Sequence, residues 1–284
     1  MVTTSLVTYP YYIDFLRKIK YNMDSLNIND IYCRGKMDKE KILGFNIITY
    51  NEEKLLDNIF KDYKQNNQIF IVNVNPEIAI NNYKNEEFKE ILNEQKYQIP
   101  DGSGIVWASK RRKGNIKKRI TGIDLMLKIC EETQKYSSKI YLYGGKDKIA
   151  EKTKEELEKA YPKINIVGTC DGYCDETKAI HDIMKTEPDI LFVGLGSPKQ
   201  EEFIIKYKDK LKKVRILMPV GGSFDVISKS KKRAPKWMIQ HNLEWLYRLA
   251  KEPRRALRQT KIIRYVIYII IKKDERKEKK NEQN

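Results

Sequence analysis

Short apolar runs alternate with amphipathic segments along most of the 284-residue chain. Residues 68–74 and 189–194 are almost continuously apolar, which is typical of parallel strands buried on both faces. Residues 52–63 instead carry their large apolar side chains at helical spacing. The predicted strands are 42–47, 68–74, 97–99, 139–143, 164–168, 189–194 and 215–220, and the predicted helices are 52–63, 76–82, 86–93, one beginning at 105, 122–134, 148–161, 178–185 and 199–211. This alternation predicts an α/β fold with a mostly parallel sheet and helices on both of its faces.

Four segments of the chain differ in composition. Residues 1–38 precede the regular alternation, and we expect them to form a loosely packed extension. Residues 39–236 carry the strand and helix pattern and are predicted to form the α/β core. Residues 237–272 are helical in pattern and rich in aromatic residues and arginine. Residues 273–284 are charged and lack large apolar side chains, so we expect them to be disordered.

The chain is strongly basic. It has 56 Lys and Arg residues against 39 Asp and Glu residues, a net charge of +17, which favours an anionic partner such as nucleic acid, nucleotide phosphate or a membrane surface. No apolar stretch reaches the roughly 18–20 residues of a membrane span, and the first residues make a poor signal peptide. We therefore expect a cytoplasmic protein, and its four scattered cysteines are expected to be free thiols.

Four loops follow predicted strands and contain glycine beside polar residues: 101–104, 144–145, 194–201 and 221–225. In open α/β sheets, ligands bind at the carboxyl ends of the strands, where the N–H groups of helix N-termini meet anions. Each loop also has an ordinary structural interpretation, because glycine suits tight turns and Asp caps helices. Spacing alone leaves both interpretations open.

Several common chemistries lack their motifs in this sequence. There is no Asp-X-Asp triplet for a metal-bound nucleotide and no phosphate loop of the GxxxxGK[ST] type. A nicotinamide enzyme would need GxGxxG followed by an acidic residue about 20 residues later. A nucleic-acid-binding protein remains an alternative because of the positive charge, although no base-reading or base-stacking element is recognisable.

The C-terminal helical segment has two distinct faces. Its basic and tyrosine side chains recur every three or four residues, and a second face carries Ile262, Val266, Ile269 and Ile270. Such a helix suits the surface of an anionic membrane, with the isoleucines entering the interface. The alternative is a core helix with ordinary surface lysines.

Read in order, the motifs of this chain closely resemble those of the WecG/TagA/CpsF family of bacterial glycosyltransferases. The resemblance extends from about residue 41 to residue 264. The matching motifs are Asn75-Pro76-Glu77, Pro100-Asp101-Gly102-Ser103-Gly104, Arg119-Ile120-Thr121-Gly122-Ile123-Asp124-Leu125, Tyr143-Gly144-Gly145, Tyr161-Pro162, Gly194-Leu195-Gly196-Ser197-Pro198-Lys199-Gln200-Glu201, Gly221-Gly222-Ser223-Phe224-Asp225, Arg233-Ala234-Pro235 and Leu243-Glu244-Trp245-Leu246-Tyr247-Arg248-Leu249.

The resemblance implies an inverting, metal-independent transferase with a Rossmann-like core and no cofactor. Its expected reaction moves N-acetylmannosamine from a UDP-sugar to N-acetylglucosamine on undecaprenyl diphosphate, in the synthesis of teichoic acid or a related surface polysaccharide. Mannosaminuronic acid and glucose are alternative donor sugars in similar proteins. The expected location is the cytoplasmic face of the cell membrane, bound peripherally to its anionic surface. The oligomeric state is left open, a homo-oligomer included.

The resemblance also implies roles for individual residues. Asp101 is the expected catalytic base. Asn73, Asn75 and Arg119 are expected to contact substrate, and Asn73 stands where the family usually has Thr. The expected donor-nucleotide residues are Gly144, Gly145, Gly194, Gly196, Gln200, Gly221, Gly222 and Asp225. The arginines expected to close over the diphosphate are Arg248, Arg255 and Arg258.

Overall fold

The computed structural model describes residues 39–241, 243–252 and 260–271. The predicted extension at residues 1–38 and the predicted tail at 273–284 lie outside the described residues, as do Arg255 and Arg258. The expectations about those parts of the chain therefore stay predictions.

Six of the eight described strands form one parallel sheet in the order β4-β3-β8-β7-β5-β6. The strands are β1 (Lys39–Ile42), β2 (Phe45–Ile48), β3 (Ile69–Val74), β4 (Tyr97–Pro100), β5 (Lys139–Gly144), β6 (Asn165–Cys170), β7 (Ile190–Gly194) and β8 (Ile216–Pro219). Val74 lies opposite Pro100, and Val193 lies opposite Pro219, so the carboxyl ends of these four strands meet at one edge of the sheet. The predicted parallel sheet is confirmed.

The single strand predicted at residues 42–47 is wrong. These residues belong to an antiparallel hairpin of β1 and β2, in which Ile42 pairs with Phe45. Leu43 and Gly44 form the two-residue turn with positive φ angles of 48° and 92°. Such a turn matches the twist of a hairpin, and glycine adopts its conformation without steric cost. The apolar residues on either side of the turn made the two short strands look like one.

The described helices connect the strands and extend beyond the sheet. They are α1 (Glu52–Lys64), α2 (Pro76–Asn81), α3 (Glu86–Asn93), α4 (Ser103–Arg111), α5 (Gly122–Thr133), α6 (Ile149–Ala160), α7 (Glu176–Thr186), α8 (Lys199–Tyr207), α9 (Ser223–Ile227), α10 (Lys236–Gln240), α11 (Glu244–Lys251) and α12 (residues 260–271). Side chains of Asn51, Thr121 and Asp175 accept hydrogen bonds from the first turns of α1, α5 and α7. These caps explain where the helices begin, because they satisfy N–H groups that have no partner within the helix.

Helices cover both faces of the sheet. Every residue of β3, β7 and β8 is buried, which requires cover on both sides. Phe70, Val72 and Leu191 point to the face packed by α2, α3, α4, α7, α8 and α12. The alternate residues, such as Ile71 and Phe192, are also buried and point to the opposite face. The predicted two-sided arrangement is confirmed.

The helical pattern after residue 237 is divided among α10, α11 and α12. Tyr265 and Ile269 of α12 are buried in the main hydrophobic core, and Val266 packs against it. The isoleucines exposed on α12 are Ile263, Ile267 and Ile271. The prediction that the face with Ile262, Val266, Ile269 and Ile270 enters a membrane interface is therefore wrong, because part of that face packs on the core. Within the described ranges, no helix has the length and apolarity needed to cross a membrane.

The expectation of free thiols is wrong for one pair of cysteines. Cys170 ends β6, and a disulfide joins it to Cys174 across a short loop. Cys130 is a free thiol buried in α5, and burial raises its pKa to about 12. Cys33 lies outside the described residues.

Candidate active site

A cavity of about 590 Å³ lies at the carboxyl ends of β4, β3, β8 and β7. These four strands are neighbours in the sheet, so loops that are far apart in sequence meet there. Residues of α11 and Ile262 of α12 complete its wall. The basic residues that line the cavity are Arg119, Lys231, Lys232, Arg233, Arg248 and Lys251. The acidic residues are Glu77, Asp101, Asp225, Glu244 and Glu252.

Asp101 follows β4 directly and lines this cavity. Its backbone N–H donates to Val74 O at 2.9 Å, which fixes the turn between β4 and α4. Gly102 continues the turn with a φ of 94°, a conformation that other residues rarely adopt. The hydrogen bond and the turn together define the backbone that carries the carboxyl group.

Burial raises the pKa of Asp101 to about 6 from its ordinary value of 3.8. The positive charges of Arg248 and Arg119 oppose this rise, whereas the carboxylates of Glu244 and Asp124 add to it. A carboxylate with a pKa near 6 is ionised at neutral pH and binds a proton more readily than an ordinary aspartate. Asp101 therefore has the properties of a general base.

Arg119 and Arg248 converge on one buried carboxylate. Glu244 accepts from Arg248 Nη2 at 2.5 Å and from Arg119 Nη2 at 3.3 Å. Arg119 Nη2 also donates to Ile239 O at 3.3 Å. Arg248 is 43% exposed in its side chain, so it can still meet a ligand anion. The structure brings two of the predicted arginines, Arg119 and Arg248, to the cavity that Asp101 lines.

Asn73 and Asn75 both line the cavity, but their amides have different surroundings. Asn75 accepts from Ile78 N at 2.9 Å and so caps α2. Asn73 Nδ2 donates to Pro219 O at 2.8 Å, while Asn73 Oδ1 is buried without a hydrogen-bond partner among the described residues. A Cβ atom at Gly122 would lie 2.7 Å from Asn73 Nδ2, so glycine there makes room for the amide.

Gln200 connects two loops that line the cavity. Its Oε1 accepts from Gly221 N at 2.9 Å, and its Nε2 donates to Glu201 Oε1 at 2.9 Å. Glu201 is buried, which raises its pKa. Gly196, Gly222 and Asp225 line the cavity as well. The predicted donor residues after β7 and β8 are thus brought together.

Gly144, Gly145 and Gly194 are not among the residues that line the cavity. A Cβ atom at Gly144 would lie 2.5 Å from the backbone of Gly194 in the neighbouring strand. Gly145 N donates to Gly194 O at 3.0 Å, and a Cβ atom at Gly194 would lie 2.8 Å from the ring of Phe224. Close packing by itself explains glycine at these three positions, and their expected contact with the donor nucleotide stays a prediction.

Several polar groups of the cavity were not singled out from the sequence. Lys231 contacts Asp225 Oδ2 at 2.9 Å and Glu252 Oε1 at 3.0 Å, which ties α9 to the end of α11. Arg233 contacts Asp124 Oδ1 at 2.7 Å. Arg233 and Asp124 stood inside recognised motifs, but nothing in the sequence pairs residues 109 positions apart.

The C-terminal helix α12 is joined to the cavity wall by specific contacts. Tyr265 donates to Gly104 O at 3.3 Å, and Lys261 Nζ lies 3.1 Å from Glu77 Oε1. Gly104 follows the Asp101 turn, and Glu77 lies in the first turn of α2, so α12 packs beside the loops that form the site. Among the described residues, no group of three or more His, Cys, Asp and Glu is arranged to hold a metal ion.

Comparison with known proteins identifies the family. The sequence model described as "Glycosyl transferase WecG/TagA/CpsF family" matches residues 40–280, which is most of the chain. The chain belongs to this family. The resemblance found in the ordered motifs is therefore confirmed, and the protein is a glycosyltransferase.

Three relatives of this glycosyltransferase carry the name N-acetylglucosaminyldiphosphoundecaprenol N-acetyl-beta-D-mannosaminyltransferase. The relative in Bacillus subtilis (strain 168) is 35% identical over 249 residues, which cover 87% of this chain and 94% of that protein. The relative in Bacillus spizizenii is 36% identical over 72% of this chain and 80% of its own length. The relative in Staphylococcus aureus (strain MRSA252) is 33% identical over 76% of this chain and 85% of its own length.

Proposed function

We propose that this glycosyltransferase moves N-acetyl-D-mannosamine from UDP-N-acetyl-D-mannosamine to undecaprenyl-diphosphate-linked N-acetylglucosamine. The product would enter teichoic acid or a related surface polysaccharide. The observation that carries the proposal is the position of Asp101, a carboxyl group with a pKa of about 6 in a cavity lined by arginines. The names of relatives at 33–36% identity support the choice of substrates.

Asp101 acts as the general base in the proposed reaction. Its carboxylate accepts the proton of the attacking acceptor hydroxyl, whose oxygen forms a bond to the anomeric carbon of the donor sugar. The bond between that carbon and the UDP oxygen breaks, and UDP leaves with the electron pair. A single displacement of this kind inverts the configuration at the anomeric carbon. The proton on Asp101 returns to solvent after the product leaves.

The departing diphosphate needs compensation for its negative charge. Arg119 and Arg248 lie at the cavity wall with Asp101, and guanidinium groups bind phosphate oxygens through paired hydrogen bonds. We propose that these arginines stabilise the leaving group without a metal ion. Arg255 and Arg258 are proposed to join them, as the family resemblance implies.

The donor nucleotide is proposed to bind at the end of the cavity formed by Gly196, Gly221 and Gly222. Gln200 braces this end through its contacts with Gly221 and Glu201. The acceptor sugar is proposed to approach Asp101 from the side of Asn73 and Asn75. Both substrates then meet at Asp101, the only place in this scheme where proton transfer is required.

We further propose that α12 contacts the anionic cytoplasmic face of the membrane. Ile263, Ile267 and Ile271 are 59%, 50% and 51% exposed and recur every four residues, so they form one apolar stripe. The lipid-linked acceptor named for the relatives stays in the bilayer, which requires the enzyme to meet it there. The excess positive charge of the chain favours an anionic surface.

A transfer assay with purified components tests the proposed function. The acceptor is a short-chain lipid diphosphate carrying N-acetylglucosamine, and the donors are UDP-N-acetylmannosamine, UDP-N-acetylmannosaminuronic acid and UDP-glucose in parallel. We expect transfer from UDP-N-acetylmannosamine, with a product of β configuration by NMR. Preferred use of another donor would contradict the proposed sugar. In thermal melting, UDP should stabilise the protein, whereas NAD and oligonucleotides should not.

A further inference from the structure

Glu244 is a buried acid that the proposed reaction does not yet use. It is the only buried residue of α11, all of which is described, and its side chain is 6% exposed. The remaining residues of α11 include the exposed Trp245 and Leu246. Glu244 is therefore the most deeply buried residue of this helix, beside the partly buried Tyr247 and Leu249. Burying an acid in this way is costly unless cations compensate its charge.

The two cations that compensate Glu244 come from different parts of the chain. Arg248 lies one turn later on α11 and contacts Oε1 at 2.5 Å. Arg119 lies in the loop before α5 and contacts Oε2 at 3.3 Å. Two guanidinium groups repel each other at short range, and a carboxylate between them removes that repulsion. Glu244 thus joins α11 to the core at the point where both arginines border the cavity.

We propose that Glu244 is a positioning residue for sugar transfer, whose carboxylate holds Arg119 and Arg248 in place beside Asp101. This inference rests on the proposed function of the two arginines as ligands of the diphosphate. Each guanidinium has five N–H donors, so the bonds to Glu244 leave others for phosphate oxygens. Held arginines need no reorganisation when charge develops on the leaving group, which is the condition for efficient electrostatic stabilisation.

The charges that act on Asp101 make the role of Glu244 measurable. Arg248 and Arg119 lower the pKa of Asp101, and Glu244 and Asp124 raise it. Asp124 itself is held by Arg233 and by the hydroxyl of Thr121. Removing the Glu244 charge while keeping a hydrogen-bond acceptor should therefore lower the pKa of Asp101. Shortening the side chain while keeping its charge should disturb the arginines instead.

Two substitutions distinguish the effect of the Glu244 charge from the effect of its side-chain length. Glu244→Gln should move the acid limb of the kcat/KM profile to lower pH and reduce kcat about 10–100-fold. Glu244→Asp keeps the charge but is one methylene too short to meet both arginines, so kcat should fall without the shift of the acid limb to lower pH. Glu252→Gln is the matched control on the same structural unit, because Glu252 pairs with Lys231. It should leave the acid limb unchanged.

The pKa of Asp101 should also be followed without substrate, through the 13C chemical shift of its carboxyl group. The Asp101→Asn spectrum assigns the signal. A lower pKa in Glu244→Gln, absent in Glu252→Gln, shows that the Glu244 carboxylate acts on Asp101 whatever the enzyme transfers, and a fall of kcat in Glu244→Asp then supports the inference. An unchanged pKa together with wild-type kcat overturns it, and so does a lower melting temperature as the sole effect. Failure of the wild-type enzyme to transfer any tested sugar would instead reject the proposed function.

Discussion

Replacing Asp101 by Asn should remove activity and, at the same time, increase stability. The two side chains have nearly the same shape, but Asn carries no charge and accepts no proton. At neutral pH the wild-type carboxylate is ionised in a site where burial raises its pKa to about 6. The difference from the ordinary 3.8 corresponds to about 3 kcal/mol at most, and the exposure of Asp101 to the cavity reduces this figure.

The sign of the pH dependence follows from the raised pKa. Asp101 binds its proton more tightly in the folded protein than in the unfolded chain, so its contribution to stability is fully present below pH 3.8. That contribution is lost as the pH rises through about 6. The stability gained in Asp101→Asn should therefore be largest above pH 7 and small at pH 4.

The catalytic consequence has the opposite pH trend. At pH 7.5 about 97% of a group with a pKa of 6 is ionised, but at pH 5 only about 9% is. The kcat/KM of the wild-type enzyme should thus fall below an acid limb near pH 6. Loss of the base in Asp101→Asn should lower the transfer rate about 10²–10⁴-fold, while UDP still binds.

Denaturant unfolding at pH 4 and 7.5, a kcat/KM profile and calorimetric titration with UDP measure these effects. Asp225→Asn is the matched control, because Asp225 is a cavity acid paired with Lys231 at 2.9 Å. Neutralising it should not stabilise the protein. The reasoning is refuted if Asp101→Asn turns over at a near-normal rate, or if its stability falls at pH 7.5. An acid limb near pH 4 would equally contradict the raised pKa.

Three further predictions concern the donor end of the cavity and the C-terminal helix. Gln200→Ala should raise the KM for the UDP-sugar more than that for the lipid acceptor, about tenfold, and equal effects would indicate a purely structural role. Ile267→Asp should weaken binding to anionic vesicles in a sedimentation assay without lowering the melting temperature, and unchanged binding would reject the membrane face. Ending the chain after Leu243 should lower stability as well as activity, since it removes the buried Tyr265 from the core, and an equally stable truncated protein would contradict this packing.

The order of the strands and helices could be predicted because it depends on local pattern. The continuous apolar run of β3 indicates a buried strand, and the amphipathic spacing of α1 indicates a helix, each within a few residues. The hairpin of β1 and β2 was not predicted from the local pattern, because two strands of four residues joined by a tight turn have almost the same pattern as one longer strand. Its signal was Gly44, a turn residue inside an apolar run.

Part of the predicted site lies at the cavity, and the glycines show why other predicted roles stay predictions. Asp101, Arg119 and Gln200 stood in recognisable motifs, and the structure brings them to one cavity. Gly144 and Gly194 stood in equally recognisable motifs, yet they pack against each other. Glycine allows the backbone to approach a ligand closely, and it also allows two backbones to approach each other closely. The sequence shows the same residue in both cases.

The sequence by itself determined the class of fold, the family and the candidate base, because hydrophobic periodicity and the order of motifs are properties of the linear sequence. Only the tertiary structure decided which loops meet, which isoleucines of α12 are exposed and what Glu244 contacts. The strand order β4-β3-β8-β7-β5-β6 places Asp101 and Gly221 at one cavity although 120 residues separate them. Contacts of this kind depend on packing between segments that are distant in sequence. A hydrophobic pattern with a period of two or 3.6 residues indicates only which face of its own strand or helix a residue occupies.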